Sequence, residues 1–426
     1  MTKLKLHWQI LIALVLAGII GTLTGTDAAL FGVTFYSVFG FLGTIFLNAL
    51  KMLIVPLIAS SIIVGVAGIG SGGNLGRLGG RTMMFYILST SLAIIVGLVL
   101  VNMVKPGLVD GQPAAGLMAL SADVSEVAAT VGDKGTGDLA GIFIRMVPAN
   151  IVKAAAEGEM LGLIFFCLLF GYFMSQLPQK YADTMFSFWD SMFQVMMRIT
   201  HWVMNFAPYG VFGLVAKVVA ETGFDAARPL LVFTVTVIAA LAIHALITLP
   251  LLVRFIGRVN PWKLIRAVSP ALLTAFSTSS SSATLPITID SVEKNVGVSN
   301  RVSSFVLPLG ATVNMDGTAL YECMAALFIA QAYGVALTIS QQVVVVVTAL
   351  LTSIGVAGIP SASLVAIAII LTAVGLPIEA IGLLFVFDRI LDMMRTSINV
   401  FGDTSCAVVV ARLEGETEGL LAPEKT

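Results

Sequence analysis

Charge is scarce in this chain. Asp, Glu, Lys and Arg make up 11% of its 426 residues, against about 25% in soluble domains, while 58% of the residues are hydrophobic. That balance excludes a water-soluble globule and predicts an all-α polytopic membrane protein. The net charge is −1, with no basic run and no interleaving of aromatic and basic residues, which argues against nucleic acid as a partner. Cysteine is nearly absent. Cys167, Cys323 and Cys406 lie in apolar segments without disulfide or metal spacing, so they read as small buried hydrophobes. Histidine is as rare: His7, His201 and His244 stand in separate segments far from the serine-rich run, and each reads as structural.

What is present is apolar sequence in long runs. Spans are expected near 9–27, 36–69, 82–104, 141–175, 190–219, 229–257, 302–334 and 379–411. Several exceed the roughly 20 residues that cross a bilayer core, so tilt or interruption is expected. The N-terminus, with Lys3 and Lys5 before an apolar run, imitates a signal peptide but reads better as a retained first helix. Those lysines, and the clusters Arg77/Arg81 and Arg254/Arg258/Lys263/Arg266, mark cytoplasmic connections. The segment 105–140 reads as an external loop, and the acidic tail after Arg412 as disordered.

Two segments are too short-armed for simple spans. SPALLTAFSTSSSSATLPITIDSV folds back at Ser279–Ser282, and Val343–Leu371 folds back at SIGVAGIPSAS around Pro360. Both read as re-entrant hairpins, and each precedes a long helix carrying polar groups. Such a duplicated arrangement points to an inverted-repeat transporter site. The seventh span is interrupted at Asn314-Met315-Asp316-Gly317-Thr318. Residues that weaken a helix there free carbonyls which, beside a carboxylate, suit a dehydrated Na⁺; a kink satisfied by neighbours is the plainer reading.

The last span holds the strongest signal. Asp388, Asp392, Arg395, Asn399 and Asp403 are spaced 4, 3, 4 and 4 apart, which puts them within an arc of about 80° on a helix. Ionisable groups at such depth usually mark a substrate or ion path. Arg395 offers a planar fork to a carboxylate and Asp392 an acceptor to an ammonium, so together they would hold an acidic zwitterion. An Asp392–Arg395 structural pair is the alternative. Glu322, alone in an apolar half-helix, reads as a proton carrier or as a protonated structural residue.

SSSSATLP, NMDGTALYE, AGIP and DRILDMMRTSINVFGD, in this order, resemble the dicarboxylate/amino acid:cation symporter family of archaeal, bacterial and mammalian glutamate and aspartate transporters. The likeness extends from the first span to Arg412. It implies eight transmembrane helices plus two re-entrant helical hairpins with inverted repeats, an elevator-type glutamate transporter fold assembled as a homotrimer. It implies scaffold helices in 1–80 and 141–222, a third helix in 81–108 and an extracellular loop in 109–140. The transport domain would cover 223–412 with that third helix, and 413–426 would be a cytoplasmic tail. The hairpins would lie near 264–290 and 341–373, the broken seventh helix near 302–334 and the eighth near 378–412. The protein would sit in the bacterial inner membrane with both termini cytoplasmic.

The same resemblance implies site residues. Arg395 and Thr318 would hold the side-chain carboxylate, Asp392 and Thr396 the amino group and Asn399 the α-carboxylate. Backbone at Ser281, Ile359 and Ser363 would close the site. One sodium site would use Asp403 with carbonyls of Gly310, Asn314 and Asn399; a second, Asp316 and Asn314 with Tyr86, Ser89 and Thr90. A third would use carbonyls of Thr312, Met315, Ser353, Ile354 and Val356. Glu322 matches the family's proton-carrying Glu. No organic cofactor is implied, and Na⁺ with H⁺ would be the coupling ions. The function expected is therefore non-enzymatic: import of glutamate or aspartate. A C4-dicarboxylate symporter is the near alternative, although such members typically lack the counterparts of Asp392 and Asp403. An ion channel and a serine hydrolase are the alternatives from other classes. Unlike archaeal members the chain has Ser279 in place of a hairpin arginine, and unlike mammalian ones Met393 after the second stripe Asp; its extra arginine is Arg389.

Overall fold

The computed structural model describes residues 6–70, 76–114, 147–156, 160–222, 227–355, 362–416 and 420–421. The described residues are mostly helical, with two-residue antiparallel ribbons at Ala29–Thr34 and Leu108–Pro113. The helices are α1 (Leu6–Thr24), α2 (Phe35–Gly70), α3 (Gly76–Val104), α4 (Ile151–Ala156), α5 (Met160–Ser175), α6 (Gln179–Met204), α7 (Ala207–Thr222) and α8 (Ala227–Ile243). They continue with α9 (Pro261–Thr278), α10 (Ser281–Asp290), α11 (Asn300–Val313), α12 (Asp316–Ala332), α13 (Ile339–Gly355), α14 (Ala362–Val374) and α15 (Ile381–Leu413). Arg77–Val104 and Arg228–Gly257 are each long and apolar enough to cross a bilayer, and shorter apolar helices include Ile12–Thr24, Phe35–Phe46 and Phe165–Ser175. Large side chains such as Ile12, Val15, Ile19, Leu23, Val99 and Val235 are exposed on these helices. A protein in water would not leave such continuous apolar faces uncovered.

Helices α1, α2, α5, α6 and α7 pack mainly on one another, whereas α3 and α8 through α15 form a second packed set around α12 and α15. The fifth expected span, 190–219, is not continuous: it is split at Asn205–Phe206 between α6 and α7. Pro208 lacks the N–H that would bond to Met204, so the last turn tightens, with Asn205 and Phe206 donating three residues back to Trp202 and Val203.

Helices α9 and α10 fold back on each other across Ser279 and Ser280. Ser279 adopts a left-handed conformation at φ 51° that closes α9, and Ser280 caps α10 by accepting a hydrogen bond from Ala283 N at 3.2 Å. The expected Ser279–Ser282 tip is thus shorter, since Ser281 and Ser282 already belong to α10. Helices α13 and α14 likewise pack on each other. The tip expected around Pro360, including Val356 and Ile359, lies outside the described residues.

The interruption of the seventh span falls at Asn314 and Met315, between α11 and α12. Nearly every residue of α12 is buried, from Asp316 to Ala330. Beyond α15 the described residues 414–416 and 420–421 stay bonded to the protein, unlike the disordered tail expected after Arg412. Glu414 pairs with Arg81 at 2.6 Å, Arg77 at 3.3 Å and Arg301 at 3.4 Å. Glu416 accepts from Ser299 N at 3.0 Å and Leu421 N donates to Val296 O at 2.8 Å. Burial acts to raise the Glu414 carboxyl, and the Arg77 and Arg81 guanidinium groups override it, holding Glu414 below the ordinary glutamate range.

Candidate functional site

Helix α15 presents its polar stripe inward. Asp388, Asp392, Arg395, Asn399 and Asp403 are all buried, and Arg395 is 0% exposed. One turn and two turns of helix bring both carboxylates to the same nitrogen: Arg395 Nη2 donates to Asp388 Oδ1 at 2.9 Å and to Asp392 Oδ1 at 3.2 Å. The guanidinium lies over the Tyr321 ring, 3.9 Å from its centroid, an arrangement that favours a desolvated cation. Its Nε and Nη1, and Asp392 Oδ2, have no hydrogen-bond partner among the described residues. Buried charged donors are rarely left so. The half-used fork and half-used carboxylate match a ligand carrying both a carboxylate and an ammonium. Asp388 is explained by its hold on Arg395, and Arg389 reaches Asp392 Oδ2 at 3.6 Å.

Asn399 ties this stripe to the broken helix. Its Oδ1 accepts from Gly317 N at 2.8 Å, in the first turn of α12 where backbone donors lack helical partners. Its Nδ2 donates to Thr318 Oγ1 at 3.1 Å. Thr318, Asn399, Asp392 and Arg395 are therefore brought to one region. Thr396 is buried, with its hydroxyl donating to Asp392 O at 2.8 Å. Ser281 and Ser363 are buried, and the Ser279 and Ser363 hydroxyls have no partner among the described residues. No histidine bonds to the serine turn among the described residues.

One turn further along α15, the sodium candidates converge on two carboxylates. Thr90 Oγ1 donates to Asp316 Oδ1 at 2.6 Å and Ser89 Oγ to the same oxygen at 3.2 Å. Ser89 Oγ lies 3.5 Å from Asn314 Oδ1, whose Nδ2 donates to Asp403 Oδ1 at 2.9 Å. Asp316 and Asp403 are 0% and 2% exposed, and neither is paired with a Lys or Arg among the described residues. Two buried carboxylates without a Lys or Arg counter-charge suit cations. Tyr86 donates to Val306 O at 2.8 Å. A Cβ at Gly310 would run into the Asp403 carboxylate and the Tyr86 hydroxyl, so that position requires glycine. Thr312, by contrast, is exposed and its hydroxyl bonds within α11. Met315 O accepts from Ala319 N at 2.8 Å as the first acceptor of α12. Ser353 and Ile354 lie on the last turn of α13, which packs against α11.

Glu322 is fully buried; Thr352 Oγ1 donates to its Oε2 at 3.1 Å, and Oε1 has no partner among the described residues.

Two residues escaped the sequence reading. His244, taken there as structural, places Nε2 at 3.1 Å from Asp316 Oδ2, with both side chains 0% exposed. It opens a π turn, His244–Thr248, in which Leu249 N reaches back to His244 O. Pro250 cannot donate to Leu246, and the wider turn accommodates that loss. The available signal was a lone ionisable residue in an apolar run. Gly402 is the other, because a Cβ there would stand 2.9 Å from both Asn314 Nδ2 and Asp316 Oδ2.

The model of the sodium:dicarboxylate symporter family matches residues 6–413. The chain is 37% identical over 415 residues to the proton/glutamate-aspartate symporter of Escherichia coli (strain K12), covering 97% of this chain and 93% of that protein. It is 34% identical over 417 residues to the proton/sodium-glutamate symport protein of Geobacillus stearothermophilus, covering 98% and 96%. It is 36% identical over 455 residues to the excitatory amino acid transporter 3 of Mus musculus, covering 96% and 86%.

Proposed function

The chain belongs to the sodium:dicarboxylate symporter family, and from that premise we propose that it is a membrane symporter importing glutamate or aspartate with Na⁺ and H⁺. The observation that carries this reading is the division of the buried charges. Arg395 with Asp392 is matched to an acidic zwitterion, while Asp316 and Asp403 lack any Lys or Arg partner among the described residues and suit cations. The names of the relatives, glutamate-aspartate and proton/sodium-glutamate symporters, agree with both halves.

In this reading Arg395 and Thr318 take the side-chain carboxylate, Asp392 and Thr396 the ammonium and Asn399 the α-carboxylate. Ser281, Ile359 and Ser363 contribute backbone from the two turns. Asp403 with Gly310, Asn314 and Asn399 holds one Na⁺; Asp316 and Asn314 with Tyr86, Ser89 and Thr90 a second; Thr312, Met315, Ser353, Ile354 and Val356 a third. Glu322 carries the proton. Asn399 bonds to Gly317 N and Thr318, so ions bound at the helix break bias the same side chains that meet substrate. That is a coupling free energy between sites. The finer architecture is eight transmembrane helices with two re-entrant hairpins. Residues 81–108 and 223–412 move as an elevator against the scaffold of 1–80 and 141–222. The assembly is a homotrimer in the bacterial inner membrane, with both termini cytoplasmic. Asp392 favours an amino acid over a C4-dicarboxylate.

Reconstituted uptake tests the reading. Labelled glutamate and aspartate are expected to accumulate in liposomes under an imposed Na⁺ gradient, more so with an inward H⁺ gradient, and to exchange with unlabelled substrate inside. Preference for succinate would overturn the amino-acid assignment, and flux without trans-stimulated exchange would overturn the carrier assignment.

A further inference from the structure

We infer that His244 is a positioning residue that fixes the orientation of Asp316 and thereby sets sodium affinity at that carboxylate; this rests on the reading of Asp316 as a sodium ligand. Three donors from two other elements hold the carboxylate: Thr90 and Ser89 of α3 on Oδ1, and His244 on Oδ2. The first two share one oxygen and so leave the carboxylate free to swing about it. Among the described residues His244 alone restrains the second oxygen, and the carboxylate, which only accepts, requires the hydrogen on Nε2. Nδ1 of His244 is buried without a partner among the described residues, so the bond to Asp316 is the imidazole's one directional side-chain contact there. Gly402 closes the remaining side, leaving no room beside Oδ2 for even a Cβ. A carboxylate held at both oxygens presents its lone pairs to a cation in one geometry. Outer-shell partners of this kind typically change metal affinity by about 10- to 100-fold.

Gln and Asn separate the roles. Gln carries its amide nitrogen as many bonds from Cα as Nε2 of His, and Asn carries its own at the position of Nδ1. The experiment measures the Na⁺ concentration for half-maximal glutamate or aspartate exchange in liposomes, at saturating substrate, for the full-length protein and for His244→Gln, His244→Asn and Asp316→Asn. His244→Asn is expected to raise the Na⁺ half-saturation about 10- to 100-fold with its maximal rate recovered at high Na⁺, whereas His244→Gln stays within about threefold of the parent. If both His244 variants shift equally, the imidazole does more than position the carboxylate and the inference fails. If both lose protein or maximal rate with Na⁺ half-saturation unchanged, His244 is structural and the inference also fails. Should His244→Asn not fold, His244→Gln decides alone, a shift of about tenfold or more overturning the inference. An unchanged Na⁺ response in Asp316→Asn sinks the sodium-ligand reading itself, while a shift there with none in His244→Asn sinks only the inference.

Discussion

Gly402→Ala tests the cation cluster with a single methyl group. The added Cβ would stand 2.9 Å from Asn314 Nδ2, 2.9 Å from Asp316 Oδ2 and 3.6 Å from Asp316 Cγ. Neither polar atom is the loose end of a flexible chain: Asn314 is bonded to Asp403, and Asp316 to Thr90, Ser89 and His244. The methyl must therefore push apart the two side chains assigned to a cation. Overpacking of this kind costs about 1–3 kcal/mol. Because a bound ion needs the original spacing, most of that cost should fall on ion binding, equivalent to about 5- to 150-fold weaker Na⁺ affinity. The assay is Na⁺ titration of glutamate or aspartate exchange in liposomes, with the Na⁺-induced rise in melting temperature as an independent readout. Gly18→Ala on α1, where a Cβ meets nothing within 4 Å, is the control. A Gly402→Ala protein exchanging at the parental rate, with Na⁺ half-saturation within about twofold of the parent, would refute the reasoning.

Arg395→Cys should remove acidic substrate transport by weakening binding about 30-fold or more, since it leaves Asp388 and Asp392 buried without their cation. Neutral amino acids should then compete in a substrate panel, and unchanged glutamate and aspartate uptake would contradict the assignment. Glu322→Gln should flatten the pH dependence of net uptake while sparing exchange; an identical pH profile would make Glu322 structural. Glu414→Gln should lower thermal stability slightly at neutral pH, because Arg77 and Arg301 are largely exposed. The folded Glu414 carboxyl sits below its unfolded value, so its contribution is present above about pH 4.3 and is lost as pH falls through the folded value. The melting curves of parent and variant should converge on acidification, and a gap that persists at low pH would exclude the ion pairs as its cause.

The polar stripe of α15 was legible because helical period alone brings its residues to one face. The break at Asn314–Met315 was legible because residues that weaken a helix sit together in an apolar run. Glu414, His244 and Gly402 were not, for a common reason. Each has its meaning in a partner remote in sequence: Arg77, Asp316 and Asn314. Local pattern carries no record of such pairs. The split between α6 and α7 is different, since Pro208 marked it and the surrounding hydrophobicity concealed it. Asp388, which read as a member of the stripe with no binding role of its own, is the nearer of the two carboxylates on Arg395.

The match to the family ends at residue 413, one position before Glu414. A chain cut there would retain every stripe residue from Asp388 to Asp403 and lose the shared counter-charge of Arg77, Arg81 and Arg301. Three guanidinium groups gathered from the starts of α3 and α11 would then face one another with nothing to neutralise them. The start of α3, the start of α11 and the end of α15 would lose that shared tie. The stability of this protein is thus expected to draw a small contribution from residues beyond the span by which its kinship is recognised.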